Sequence, residues 1–115
     1  MGKRFAEFEL ETKYMGMSSN AADPGKSAPW WHFHSLEEEL YIFLAGKGQM
    51  GLNDDVVDVE AGSVVRVSPG TWSTWRALPD SPEQLRFIVM RAGGAELPRV
   101  GHDATIDKER PLPWA

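Results

Sequence analysis

Residues 25–46 read GKSAPWWHFHSLEEELYIFLAG, and this stretch decides the fold. His32 and His34 are two residues apart, so on a strand they face one side while Trp31 and Phe33 face the other. Residues 40–45, LYIFLA, form an apolar run of strand length. The triplet Glu37, Glu38, Glu39 suggests a helix start, but Gly46 and Gly48 end that option after too few residues. Glu39 opens the strand and shares parity with Tyr41 and Phe43. Two imidazoles and one carboxylate from neighbouring strands can converge on one cation. That donor set suits iron, manganese, zinc, nickel or copper and does not distinguish among them.

Outward from this segment the dominant period is two. In residues 7–14, Phe8, Leu10, Thr12 and Tyr14 alternate with Glu7, Glu9, Glu11 and Lys13, the pattern of a half-buried strand. Residues 18–28, rich in Ser, Asn, Ala, Asp, Pro and Gly, read as a loop. Residues 49–52 and 56–60 flank Asn53-Asp54-Asp55, a hairpin signal. Turns at 61–62, 68–70 and 79–82 separate strands at 63–67, 72–78 and 85–91. Short strands at this spacing predict an all-β antiparallel barrel or sandwich. The barrel core is expected to span about 5–91 of a single domain, 1–115. Residues 92–115 are expected to be an irregular tail, either frayed or laid across the barrel by Leu112 and Trp114.

The bulk composition narrows the function classes. A chain of 115 residues has room for one core, and a hydrophobic fraction of 42% argues against general disorder. The net charge of -5, with scattered basic residues, argues against nucleic acid or an anionic membrane as the main partner. With no cysteine, disulfides, thiolate metal sites and cysteine nucleophiles are excluded. The opening MGKRFAEFELE has no apolar signal segment, and no apolar run is long enough to span a bilayer. The expectation is a soluble, cytoplasmic chain. No nucleophilic triad is suggested, and Gly46-Lys47-Gly48 is too short for a phosphate-binding loop.

The segment 25–46 resembles the first motif of the cupin family. In that motif a Gly precedes a His-x-His pair, a Glu follows three or four residues later, and a Gly closes after six more. His32, His34, Glu39 and Gly46 match this frame, and Gly25 lies one residue further from His32 than is usual. Glu38 fits a looser form, but only Glu39 keeps six residues before Gly46. Residues 62–77, GSVVRVSPGTWSTWRA, resemble the second motif. Gly62, Pro69 and Gly70 keep its frame, whereas Ser68 replaces a proline and Ala77 stands where Asn is common. Ser73 occupies the position of the usual fourth metal ligand, a His. A neutral serine hydroxyl is a poor ligand for a divalent transition metal.

The resemblance implies a double-stranded β-helix, or jelly roll, a homodimer joined through an edge strand, and a small-molecule ligand. Isomerases, epimerases, oxygenases, decarboxylases and sensing domains all share that fold, so fold alone does not choose the reaction. Two readings follow. In one, His32, His34 and Glu39 hold a divalent metal with open positions for water or substrate, in a pocket shaped by Trp30, Tyr41, Ser73 and Trp75. In the other, the same histidines hydrogen-bond a metabolite, carbohydrate-like in kind, without metal. Arg66 and Arg76 are candidates to hold an anionic group, or else solvated exterior residues. His102, in the tail, is a candidate replacement ligand, or a solvated loop residue.

Overall fold

The computed structural model describes residues 2–98 and 102–115. Among the described residues ten strands form two antiparallel sheets, and the sole helix is one turn long. In chain order the elements are β1 (Gly2–Phe5), α1 (Glu7–Leu10), β2 (Met15–Ala22), β3 (Trp31–His34), β4 (Glu38–Ala45), β5 (Lys47–Leu52), β6 (Asp55–Glu60), β7 (Val64–Val67), β8 (Ser73–Ala77), β9 (Leu85–Ala92) and β10 (Ala104–Asp107). One sheet runs β1-β2-β9-β4-β7 and the other β10-β3-β8-β5-β6. Their inner faces enclose one core, the arrangement of a double-stranded β-helix. No helix among the described residues is long and apolar enough to cross a membrane.

Period-two alternation places the core. In β4, Glu39, Tyr41 and Phe43 are buried, while Leu40 and Leu44 are exposed. In β9 the inward row is Leu85, Phe87, Val89 and Arg91. Register then stacks these rows into layers: Phe43 opposite Phe87, Tyr41 opposite Val89, and Glu39 opposite Arg91. The Phe43 and Phe87 rings lie 5.2 Å apart, and Trp75 meets Phe87 edge-on at 5.1 Å. The barrel is therefore aromatic at one end and charged at the other, which becomes the mouth.

Two turns hold this register. Gly46 links β4 to β5 at φ 79°, where a Cβ would meet the Gln84 backbone oxygen at 2.5 Å. Gly70, at φ 81°, donates its backbone N–H to His34 O at 2.8 Å and so ties the turn before β8 to the end of β3.

Three expectations need correction. Residues 7–14 are not a strand: Glu7–Leu10 form the single helical turn, and Phe8, Leu10 and Tyr14 are 68%, 67% and 60% exposed. Their alternation has no sheet to serve, because β1 already pairs β2 through residues 2–5. Residues 18–22 are not loop but the second half of β2, paired residue by residue with β9. Gly16, Ser18, Asn20 and Ala22 face inward, and their small size suits a wall opposite large aromatic side chains. The tail is not wholly irregular: β10 pairs β3, with Ala104 opposite His34 and Ile106 opposite His32. Farther on, Trp31 donates its indole N–H to Pro111 O at 3.0 Å, and Arg76 lies over the Trp114 ring. Residues 99–101 of that tail lie outside the described residues.

Candidate metal centre

Two strands, one from each sheet, supply the ligands at the mouth. β3 supplies His32 and His34 from one face, and their rings meet edge-to-face at 5.4 Å. β4 supplies Glu39 from the other sheet, so the carboxylate points across the barrel at the imidazoles. His32 Nε2 is 3.8 Å from Glu39 Oε1, and His34 Nε2 is 3.7 Å from Glu39 Oε2. One ligand atom from each of the three residues lies within 4.8 Å of the others. Those gaps are too long for hydrogen bonds. Metal–ligand bonds of about 2.0–2.2 Å place neighbouring ligand atoms about 3–4 Å apart. The donors thus fit one divalent transition metal.

Burial sets the charge state of the mouth. Desolvation lowers His32 to about 4, helped by the neighbouring His34 and Lys3. His34 is lowered for the same first reason, although Asp103 pulls it back up. Desolvation raises Glu39 to about 7, with Lys3 opposing and Glu37 and Asp103 reinforcing. Two neutral imidazoles are therefore already in the form that binds metal, while the carboxylate must still lose a proton.

Ser73 lies opposite His32 in the β3–β8 pair and is fully buried beside the Tyr41 phenol, its hydroxyl making no close hydrogen bond among the described residues. Burial pushes that phenol well up. Trp75, one pair deeper in β8, packs in the aromatic core. Trp30 precedes β3 and is half-buried under the Lys108 ammonium at 5.0 Å, so these contacts do not bring it to the cluster. Arg66 bonds Glu38 outside the barrel, and Arg76 bonds Gln49. His102 is exposed and joins neither potential metal-binding group among the described residues.

Sequence reasoning missed four charged residues here. Arg91 is buried at the mouth, paired with Glu7 and, through Nε, with Glu37 Oε2 at 3.3 Å. Lys3, on β1, lies near enough for its charge to act on His32 and Glu39. Glu37 and Asp103 face the other nitrogen of His34, at 3.6 Å and 3.5 Å from Nδ1. Inward parity in β9 marks Arg91. Nothing local marks Asp103, which reaches His34 only through β10.

Residues 21–91 match the Cupin domain family. Among solved structures, a cupin protein from Bacteroides fragilis is 24% identical with a TM-score of 0.77, over 84% of this chain and 80% of that one. A putative sugar phosphate isomerase from Acidithiobacillus ferrooxidans is 22% identical with a TM-score of 0.67, over 78% of this chain and 57% of that one. Pac13, a nucleoside dehydratase from Streptomyces, is 14% identical with a TM-score of 0.66, over 82% and 68% of the two chains. No curated protein matches the sequence.

Proposed function

This chain belongs to the cupin family, and from that premise we propose that His32, His34 and Glu39 hold one divalent transition metal at which a small polar molecule is bound or transformed. The observation that supports it is the set of 3.7 Å and 3.8 Å separations between imidazole nitrogens and carboxylate oxygens, too long for hydrogen bonds and spaced for a shared ion. Such a cation acts as a Lewis acid toward a bound oxygen. The chain's own residues do the rest. Tyr41 and Ser73 offer hydroxyls from the adjacent layer, and Lys3 offers a positive charge at the mouth. The test is elemental analysis of protein purified without chelator or added metal. About one equivalent of a divalent transition metal per chain is expected, as a single convergent ligand set demands; a metal-free protein that also takes none on titration overturns the reading.

A second reading is favoured by Ser73, whose hydroxyl stands where the family places its fourth ligand. With His32 near 4 and Glu39 near 7, the histidines are neutral and Glu39 is about half protonated near neutral pH, so without metal these three residues offer hydrogen-bond donors and acceptors. Such a pocket suits a neutral polar metabolite. One structural neighbour, Pac13, is seen with uridine. Metal content separates the two readings.

We also propose a homodimer, with the outer face of the β1-β2-β9-β4-β7 sheet as its contact surface. Met17, Met90 and Leu40 form one row there, and Ile88, Ile42 and Val64 the next. Leu40, Leu44 and Val64 are exposed. A flat apolar face of this kind is a surface suited to a second copy.

A further inference from the structure

A neutral imidazole carries one proton, and the nitrogen that holds it cannot bind a metal. The cluster needs the lone pair of His34 on Nε2, the nitrogen facing Glu39. Something must then hold the proton on Nδ1. That nitrogen is buried, has no hydrogen-bond partner, and faces Asp103 Oδ2 at 3.5 Å and Glu37 Oε1 at 3.6 Å.

We propose that Asp103 is a positioning residue for the metal centre: it takes the Nδ1 proton of His34 as a hydrogen bond and so leaves Nε2 bare toward Glu39 and His32. The proposal rests on the metal reading of that cluster. Asp103 is chosen over Glu37 because it is fixed. Its Oδ1 accepts the Leu36 N–H at 3.0 Å, and its Oδ2 accepts the Leu36 and Glu37 N–H groups at 3.1 Å and 3.0 Å. Glu37 instead turns its Oε2 to Arg91. His34, Glu37 and Asp103 could also surround an ion of their own. Two backbone N–H groups already hold Asp103, and Glu37 faces the Arg91 guanidinium, so the trio serves better as the outer layer of the first site.

The fold explains how a tail residue reaches the mouth. Ala104 pairs with His34, so the residue before it lands beside the turn that follows β3. Ser35 N donates to Asp103 O at 3.2 Å and closes the junction. The centre is therefore complete only when β10 has docked.

The test uses the full chain with 15N-labelled histidine. Long-range proton–nitrogen spectra of the metal-free protein near neutral pH report which nitrogen of His34 is protonated, and a competition titration reports zinc affinity. Wild type should carry the proton on Nδ1. Asp103→Ala should move it partly to Nε2 and weaken zinc binding about 10–100-fold, the usual cost of losing such a partner. Asp103→Asn keeps an oxygen for both the turn and the ring, so it should restore the Nδ1 proton and recover most of the affinity. Glu37→Gln should leave the tautomer unchanged. An unchanged tautomer in Asp103→Ala, or a shift in Glu37→Gln instead, overturns the proposal. If Asp103→Ala does not fold, Asp103→Ser, whose shorter hydroxyl can serve the turn but not the ring, decides: a proton partly on Nε2 with weaker zinc binding supports it, and the wild-type tautomer overturns it. A wild type that binds no zinc while its tautomer still responds to Asp103→Ala overturns the metal reading and leaves the positioning role standing.

Discussion

His34 Nε2 and Glu39 Oε2 face each other at 3.7 Å across the barrel mouth, from opposite sheets, and no hydrogen bond joins them. Two groups that attract one another would close that gap if both were charged and free to move. Burial keeps the imidazole neutral and raises the carboxyl, and the strands fix the separation. The pair is spaced for a third body between them.

The first prediction follows from Glu39. Its pKa of about 7 means that metal must displace a proton below neutrality, whereas His32, near 4, is already bare. Zinc affinity should therefore rise about tenfold per pH unit from pH 5 to pH 7 and level above that. Calorimetric titration in buffers of different ionisation enthalpy should find about one proton released per ion at the acid end. A pH-independent affinity over that range argues that Glu39 is not a ligand.

Stability of the metal-free protein gives a second prediction. Folding lowers His32 from 6.5 to about 4, so its contribution is present above 6.5 and is lost as pH falls toward 4. Folding raises Glu39 from 4.5 to about 7, so its contribution is present below 4.5 and is lost as pH rises through 7. The two slopes oppose each other over the shared range. Glu39→Gln removes one of them. The stability of the variant relative to wild type should then climb by about 3 kcal/mol between pH 4.5 and 7, measured by urea unfolding with chelator present. A constant difference would mean that Glu39 is not held protonated by the fold.

Ser73 supports a third prediction. It sits opposite His32, so a ring placed there points at the same cluster. Ser73→His should tighten zinc binding by about tenfold or more, since a third imidazole, as fourth ligand, replaces a weakly held one. Equal affinity in wild type and variant would show that position 73 does not address the ion.

What the sequence made legible divides along physical lines. Period two in β4 and β9, and the glycine turns at 46 and 70, were readable because strand parity and positive φ are local properties. His32, His34 and Glu39 were readable because two strands one short turn apart carry them. Residues 7–14 misled because alternation marks a strand only where a partner exists, and none does. β2 was hidden by its small polar residues, whose reason is the aromatic core across the barrel. Asp103 was invisible because its role depends on a pairing between β3 and β10 across some 70 residues of chain.

The apolar outer sheet face yields a fourth prediction. Leu40 and Val64 belong to adjacent rows there and contribute nothing to the inner core. The double variant Leu40→Lys, Val64→Lys should shift the protein from dimer to monomer in light scattering, with little change in the zinc affinity of the mouth. A wild type that is already monomeric at high micromolar concentration would remove the dimer from the account.

The central claim is that His32, His34 and Glu39 together hold one metal, and cobalt is its most direct probe. Titrating metal-free wild type with Co2+ while recording the visible spectrum should give a single transition saturating near one equivalent. His32→Asn and Glu39→Gln, folded by circular dichroism, should each weaken binding about 100-fold or more, because two ligands remain where three converged. A wild type that shows no cobalt spectrum, or variants that bind cobalt as tightly as wild type, would contradict the account.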